Sequence, residues 1–135
     1  MPKGIFITLE GPDGSGKSTQ VENIKTYFAN KRREVVVSRE PGGTLISEKL
    51  RSIVLDNANA EMDDITEMFI YAAARAQHVA EKIRPALERG AVVICDRFVD
   101  SSIAYQGYGR NLGNQVSEVN RYATGGLEPD VTFFM

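Results

Sequence analysis

The segment from residue 11 to residue 18, Gly-Pro-Asp-Gly-Ser-Gly-Lys-Ser, constrains the fold more than any other part of the chain. It follows a short apolar run with β-branched residues (residues 4–10). It precedes a run in which apolar residues recur at helical spacing (residues 18–31). Its glycines let the backbone turn through conformations that other residues rarely adopt. The pattern predicts a strand, a tight loop and a helix in immediate succession.

The same segment fits the spacing G-x-x-x-x-G-K-[ST], in which successive backbone N–H groups point into one concavity that surrounds phosphate. The following helix adds its free N-terminal N–H groups and the positive end of its dipole. We expect Lys17 to reach the β- and γ-phosphates and the Ser18 hydroxyl to ligate Mg²⁺. A nucleoside triphosphate, ATP or GTP, is therefore expected to bind at Gly11, Pro12, Asp13, Gly14, Ser15, Gly16, Lys17 and Ser18.

Short β-like runs alternate with longer helical runs along the rest of the chain. Strands are predicted at residues 4–10, 34–38, 91–95 and 131–134, and helices at residues 18–31, 45–54, 62–88 and 115–124. Pro85 is expected to kink the long third helix, and Gly90 to end it. The third strand is apolar throughout, which is typical of a strand buried on both faces. The alternation predicts an α/β fold in one domain of residues 1–135, with helices on both faces of a parallel sheet.

Composition excludes several classes of protein. Of the 135 residues, 42% are hydrophobic and 25% are charged, as in ordinary globular domains, and the net charge of −2 disfavours a dedicated nucleic-acid binder. One cysteine and one histidine exclude an intrachain disulfide and the usual four-ligand Cys/His zinc site. No run is long enough for a signal peptide or a spanning helix. We expect a cytoplasmic protein with neither nucleic acid nor membrane as its partner.

Asp96 directly follows the apolar third strand, where an acid can hold Mg²⁺ directly or through water. The alternative role for such an acid is to cap a turn or a helix. A GTPase would also carry an Asn-Lys-x-Asp motif. The one Asn-Lys pair, Asn30-Lys31, is followed by two arginines and no aspartate, which disfavours a GTPase.

Four further motifs follow the loop. They are Arg-Glu-Pro-Gly-Gly-Thr at residues 39–44, Glu-Lys-Leu-Arg at 48–51, Tyr-Ala-Ala-Ala-Arg-Ala-Gln-His at 71–78 and Asp-Arg-Phe-Val-Asp-Ser-Ser-Ile-Ala-Tyr-Gln-Gly at 96–107. In this order and spacing the set closely resembles bacterial-type thymidylate kinase, from about residue 3 to residue 135. The resemblance implies a P-loop kinase fold, a homodimer, and transfer of the γ-phosphoryl group of Mg-ATP to dTMP for dTTP biosynthesis.

The resemblance also implies an acceptor site for dTMP. Arg97 would grip its phosphate, for which a planar guanidinium is well suited, and Arg75 would hydrogen-bond the thymine ring. The resemblance places Asp13 near the sugar 3′-hydroxyl and Tyr105 against the sugar carbon without a hydroxyl. At the base it implies Ser102 and Gln106 at the edge and Tyr71 stacked on the ring, with Phe69 as a second candidate. Arg39 and Arg51 are expected near the acceptor phosphate. The family usually has Phe at the stacking position, so Tyr71 is a mild departure.

Some of these residues have simpler interpretations. Tyr71 and Arg75 lie four positions apart and could be a packed aromatic ring beside a solvated charge, and Tyr105 could belong to the core. His78 is expected to be a surface or core polar residue without a catalytic role, and Cys95 an inert buried thiol. The sequence leaves the isomer of the bond before Pro41 open.

The implied reaction needs no general base, because a phosphate monoester has a second pKa near 6 and is already largely dianionic at pH 7. Catalysis then requires in-line positioning and charge neutralisation, with Lys17, Arg97 and Asp13 as the catalytic residues. The family also brings an arginine to the transferring group, from the loop or from a mobile lid. Residues 12–15 contain no basic residue, so this chain resembles the lid type.

In the family the lid, a final strand and a closing helix lie beyond the matched segment. The domain is therefore expected to be incomplete at its C-terminal end. The chain alone is expected to turn over weakly, since such an arginine contributes roughly 10³–10⁵ in rate. Two alternative functions stay open: another nucleoside or nucleotide kinase, and a non-catalytic nucleotide-binding module. The loop of residues 39–44 and the arginines at 75 and 97 favour a monophosphate as the acceptor.

Overall fold

The computed structural model describes residues 3–99 and 112–135. Strands and helices alternate along the chain as predicted, and each boundary lies within two residues of its predicted position. The elements are β1 (Ile5–Glu10), α1 (Lys17–Asn30), β2 (Val35–Arg39), α2 (Leu45–Leu55), α3 (Asp64–His78), α4 (Arg84–Glu88), β3 (Val92–Asp96), α5 (Gln115–Thr124) and β4 (Val131–Phe134). Within these two ranges, no helix combines the length and apolar character needed to cross a bilayer.

The four strands form one parallel sheet in the order β2-β3-β1-β4. In its register Asp96 of β3 pairs with Leu9 of β1 on one side and with Arg39 of β2 on the other. The loops that follow these three strands therefore start side by side at the carboxyl edge of the sheet, which is where open α/β sheets bind their ligands.

Helices cover both faces of the sheet, which confirms the predicted fold class. Because side chains alternate along a strand, each strand contributes to two cores. Beneath one face, β1 and β3 pack against the stretch from α3 to α4, with Phe6, Val79, Ile83, Ala86, Ala91, Val93, Cys95 and Phe98 buried. Beneath the other face they pack against α1, with Ile7, Leu9, Val92 and Ile94 buried among Val21, Ile24 and Phe28. Every residue from Ala91 to Cys95 is buried, as the apolar run predicts.

The predicted long third helix is continuous but not uniform. It begins at Asp64 rather than at residue 62, because the Asp63 side chain accepts a hydrogen bond from the Ile65 N–H and caps the helix. The kink predicted at Pro85 takes the form of a π-helical turn, Val79–Ile83, just before it. Proline lacks an N–H and its ring clashes with the carbonyl four residues earlier, and one wider turn accommodates both.

Gly4 provides a test of the packing between β1 and α4. A Cβ atom at Gly4 would lie 2.4 Å from the carbonyl oxygen of Leu87 and 2.7 Å from its Cα. Both are backbone atoms, so α4 would have to move. We expect Gly4→Ala to lower the free energy of unfolding by about 1–3 kcal/mol, measured by urea denaturation. The exposed neighbour variant Lys3→Ala should stay within about 0.5 kcal/mol of wild type, and equal losses in the two variants would contradict the packing.

Candidate functional site

The loop between β1 and α1 has the backbone that a phosphate-binding loop requires. Gly11, Gly14 and Gly16 have φ angles of 151°, 79° and 95°, which residues with a side chain rarely adopt. Gly16 is also the N-cap of α1, so no side chain covers the first N–H groups of the helix there. These N–H groups and the positive end of the helix dipole form an anion-binding terminus.

Lys17 and Asp96 meet beside this loop. The Lys17 side chain is 6% exposed, and its Nζ lies 3.0 Å from Oδ1 of the half-exposed Asp96. The contact is an ion pair without hydrogen-bond geometry, and both atoms, like Oγ of Ser15, are buried with no hydrogen-bond partner among the described residues. Buried polar atoms without partners are rare in native proteins. An ammonium, a hydroxyl and a carboxylate with unused hydrogen-bonding capacity fit a phosphate group and its divalent cation.

The backbone of Arg97 is in the left-handed region, with φ of 70°. Residues other than glycine rarely adopt this conformation, and they keep it only where the surrounding structure stabilises it. Its N–H donates to the carbonyl of Leu9 at 2.8 Å, and its carbonyl accepts from Sγ of Cys95 at 3.2 Å. The next N–H, that of Phe98, donates to Oε2 of the buried Glu10 at 3.0 Å. The ends of β1 and β3 thus determine the direction in which the Arg97 side chain leaves the sheet.

The Arg97 side chain turns towards the loop. Its Nη2 lies 3.3 Å from Oδ1 of Asp13, whose side chain is fully exposed. Exposed pairs of this kind contribute little free energy, so a phosphate can replace Asp13 as the partner of Arg97. The structure therefore brings together Lys17, Asp13, Asp96 and Arg97, four of the residues that the sequence predicts for the site.

Arg39 is the last residue of β2, and Arg51 lies on α2. Nη2 of Arg39 is 3.2 Å from Oε1 of Glu48, and that oxygen also accepts the N–H of Gly43 at 3.1 Å. Nη1 of Arg51 donates to the carbonyl of Pro41 at 2.8 Å, and the peptide bond before Pro41 is cis. Both arginines hold the loop after β2 in place, and their contact with an acceptor phosphate stays a prediction.

Arg75 is buried, with 4% of its side chain exposed, so the interpretation as a solvated charge is wrong. Its Nε donates to Oε1 of Glu40 at 2.5 Å, its Nη1 donates to Oδ1 of Asn120, and its guanidinium lies over the ring of Phe98 at 5.1 Å. Burial raises the cost of an unpaired charge, and here the carboxylate and the guanidinium compensate each other. Arg75 is thus held in one orientation by three parts of the chain.

His78 is a core polar residue, one of the two roles expected for it. It is fully buried, with Nδ1 2.8 Å from Oε2 of Glu40 and Nε2 2.6 Å from Oγ of Ser38. Gly43 lies against the imidazole, since a Cβ there would come 2.5 Å from Cδ2 of the ring. His78 therefore holds Glu40 by a hydrogen bond and packs against Gly43 in the loop after β2.

Glu40, His78 and Cys95 place their possible metal-ligand atoms within 4.8 Å of one another. Burial, and then the charge of Glu40, raise the pKa of the Cys95 thiol, so it stays protonated and is a poor metal ligand. Both carboxylate oxygens of Glu40 already have partners in Arg75 and His78. The cluster is a structural network. Cys95 is buried, as predicted, and its lack of reactivity stays a prediction.

The two candidate stacking rings lie on different sides of α3. Phe69 is 56% exposed and lies about 120° around the helix from Arg75, whereas Tyr71 lies about 40° from it and is half-buried. The geometry therefore favours Tyr71 as the stacking ring. The predicted contacts Ser102, Tyr105 and Gln106 lie outside the described residues.

Sequence reasoning missed three supporting residues, Glu10, Glu40 and Asn120. All three are buried polar side chains. Glu10 ends an apolar strand and Asn120 lies on the buried stripe of a helix, whereas Glu40 stands among polar residues and glycines, where the local pattern gives no signal. In α5 the inward positions recur every four residues, and Asn120 occupies the central one between Val116 and Thr124. A polar residue on the apolar stripe of a helix is the signal that could have identified Asn120.

A parallel sheet with a phosphate-binding loop after its first strand, a buried lysine and two arginines at its carboxyl edge defines a P-loop protein of the kinase type. A family model described as thymidylate kinase matches residues 9–135. Thymidylate kinase from Lactobacillus delbrueckii subsp. bulgaricus is 56% identical over 135 residues, which cover 98% of this chain and 64% of that relative. Thymidylate kinase from Clostridium novyi is 50% identical, and the match covers all of this chain and 66% of the relative.

Similarity extends to three dimensions. The crystal structure of thymidylate kinase from Ehrlichia chaffeensis has a TM-score of 0.89 and 39% sequence identity, and the match covers 98% of this chain and 76% of that one. The chain belongs to the thymidylate kinase family. It spans slightly less than two thirds of the length of its curated relatives.

The Glu40–Arg75 pair gives a prediction for stability. Glu40→Gln would remove the carboxylate charge that pairs with the buried Arg75 guanidinium at 2.5 Å, so we expect the free energy of unfolding to fall by about 3–5 kcal/mol. Urea denaturation measures the loss. Glu34→Gln, which breaks the exposed 2.8 Å pair with Arg89, is the matched control and should have little effect. A small effect of both variants would show that the buried pair is not needed.

Glu48 gives a prediction for pH dependence. The N–H of Gly43, and then the charge of Arg39, hold the pKa of Glu48 below its ordinary value of 4.5. A carboxyl with a lowered folded-state pKa stabilises the fold above 4.5, and this contribution disappears as the pH falls through the lower value. We expect Glu48→Gln to be less stable than wild type near neutral pH, and the two unfolding midpoints to converge below about pH 4.5. Glu61→Gln, at an exposed position, is the matched control and should keep nearly the wild-type stability near neutral pH.

Proposed function

We propose that the protein to which this chain belongs phosphorylates dTMP to dTDP with Mg-ATP, as a step towards dTTP. One observation carries the proposal: Lys17 beside Asp96 and Arg97 beside Asp13 lie together at the ends of the paired strands β1 and β3. A donor phosphate at the loop and an acceptor phosphate at Arg97 would then be neighbours. Family membership supports the choice of thymidylate as the acceptor.

On the donor side, we assign residues 11–18 to ATP. The N–H groups of the glycine-rich turn and of the start of α1 bind the phosphates, and Lys17 neutralises their developing charge. Ser18, on the exposed first turn of α1, and Asp96 are the residues that would hold Mg²⁺. When bound, Mg²⁺ supplies charge neutralisation across the β- and γ-phosphate oxygens.

On the acceptor side, we assign Arg97 to the phosphate of dTMP and Arg75 with Tyr71 to the base. Arg97 is exposed enough to exchange Asp13 for a phosphate, and it offers two parallel donors to that group. After this exchange Asp13 would lie near the sugar 3′-hydroxyl. Arg39 and Arg51 hold the loop that borders the site. The family resemblance assigns Ser102, Tyr105 and Gln106 to the base edge and the sugar.

The reaction needs no proton acceptor from the protein, because the acceptor phosphate is already largely dianionic at neutral pH. The residues of this chain bind and orient two anions that repel each other, and they neutralise the charge of both. His78 takes no part in this step, since it is fully buried and its two ring nitrogens face Glu40 and Ser38.

We also propose that the protein is a cytoplasmic homodimer and that residues 1–135 belong to one nucleoside monophosphate kinase domain. Large apolar side chains are exposed on α2, α3 and α5, which pack against one another in that order. They are Ile46, Ile53, Ile65, Phe69 and Tyr122. Exposed apolar residues on adjoining helices favour a protein interface. A single unpaired cysteine suits the reducing cytoplasm.

Calorimetric titration of the chain with dTMP, dUMP, AMP and thymidine tests the proposal. We expect selective binding of dTMP, because both the base and the phosphate have assigned partners within this chain. Equal affinity for thymidine and dTMP would favour a deoxynucleoside kinase. A folded chain that binds ATP and no acceptor, and that transfers no phosphate in a protein of family length, would favour a non-catalytic nucleotide-binding module.

Two reciprocal variants separate the two phosphate sites. Arg97→Met should weaken dTMP binding about 10–100-fold, the loss expected for hydrogen bonds to a charged group, with ATP affinity nearly unchanged. Lys17→Met should weaken ATP binding by a similar factor and leave dTMP affinity nearly unchanged. Isothermal calorimetry with each nucleotide measures all four values. Loss of the same nucleotide in both variants would contradict the assignment.

A further inference from the structure

Asn120 is a fully buried amide that contacts Arg75 and has no role in the site as assigned so far. Its Oδ1 accepts a hydrogen bond from Nη1 of Arg75, and its Nδ2 donates to the carbonyl of Val116 at 2.8 Å, one turn earlier in α5. The bond to Val116 determines which end of the amide faces Arg75, because only the nitrogen can donate to a carbonyl.

Two further groups among the described residues also support the guanidinium. Glu40, from the loop after β2, accepts from Nε, and the ring of Phe98, which follows β3, lies beneath the plane. Glu40 is itself held by His78 at 2.8 Å. Three separate elements thus hold Arg75, so its side chain is in place before any ligand binds, and the entropy of ordering it is not lost on binding.

We propose that Asn120, together with Glu40, positions Arg75 so that the acceptor site discriminates between pyrimidine bases. The inference rests on the proposed function, which assigns Arg75 to the base. A guanidinium has donors and no acceptor. Thymine presents a carbonyl oxygen where cytosine presents an amino group, which also donates. When cytosine binds beside a guanidinium that cannot turn away, its amino group faces an N–H group of Arg75. Two donors without an acceptor in a buried site make binding less favourable.

This role separates Asn120 from the other buried residues of α5. Val116 and Thr124 occupy the same buried stripe, but no contact of theirs with Arg75 is described, and their loss would affect stability alone. Loss of the Asn120 amide removes the acceptor of Nη1 and thereby loosens the orientation of the guanidinium. We expect loss of the Asn120 amide to change the preference for dTMP over dCMP more than the affinity for dTMP itself, and to leave the affinity for ATP unchanged. A purely structural residue would not change the ratio of two affinities for the same site.

The test uses Asn120→Leu, which removes the acceptor at similar volume, and Asn120→Asp, which keeps an oxygen facing Arg75. Asn114→Leu, at an exposed position before the same helix, is the matched control. The dissociation constants for dTMP and dCMP are measured by calorimetry on each variant. We expect Asn120→Leu to lower the preference for dTMP roughly tenfold, and Asn120→Asp and Asn114→Leu to retain it. Asn120→Ala applies the same test if the leucine variant does not fold.

A second readout does not depend on nucleotide. In a ¹⁵N-labelled chain, the Nε–H signal of Arg75, assigned with Arg75→Lys, should exchange slowly with solvent in wild type and faster in Asn120→Leu. A folded Asn120→Leu or Asn120→Ala variant that keeps the wild-type preference would overturn the inference, as would a rapidly exchanging Arg75 signal in wild type. A wild-type chain with a protected Arg75 and equal affinity for dTMP and dCMP would instead refute the assignment of Arg75 to the base, and the specificity role with it.

Discussion

The shared register of β1, β2 and β3 is the constraint on which the site depends. It places Leu9, Asp96 and Arg39 in one row, so the loop after β3 begins one strand spacing from each of the other two loops. The phosphate-binding loop, the Arg97 turn and the loop after β2 can then exchange backbone hydrogen bonds. Those from Arg97 to Leu9 and from the Glu40 N–H to the carbonyl of Asp96 join all three. A shift in register by one residue would turn the alternating side chains of a strand to the opposite faces and separate these groups.

Two buried carboxylates extend this arrangement from backbone to side chains. Glu10 accepts the N–H of Phe98 and thereby holds Arg97 in its left-handed conformation, while Glu40 holds the guanidinium of Arg75 directly. Each acid lies at the end of a strand or in the loop just after it, where only a few bonds separate it from the sheet. Burying a charge is unfavourable unless it is paired, so these acids tie the positions of the two arginines to the stability of the fold.

The order of the elements and the phosphate-binding loop could be predicted because neighbouring residues carry the information. Glycine positions and helical or strand periodicity are local, and all four strands were predicted within one residue of their ends. The support of Arg75 could not be predicted in the same way. Asn120 is 45 positions away and Glu40 is 35 positions away, and each contact depends on how α3 packs against α5 and against the loop after β2. The identity of Arg75 as a candidate came from resemblance, whereas its burial came only from packing.

The two assigned acceptor arginines differ in a way that suits the roles proposed for them. Arg97 is partly exposed and pairs with a fully exposed aspartate, so a phosphate that arrives displaces a weak, solvent-screened contact. Arg75 is buried and already held by Glu40 and Asn120, so little of the cost of ordering its side chain would fall on a ligand that it binds. A cation that can change partners, such as Arg97, suits a phosphate, which is recognised mainly by its charge. A cation of fixed orientation suits a base edge, where carbonyl and amino groups differ only in the direction of the hydrogen bond. If the proposed roles hold, the fold separates recognition by charge, at its surface, from recognition by hydrogen-bond direction, in its interior.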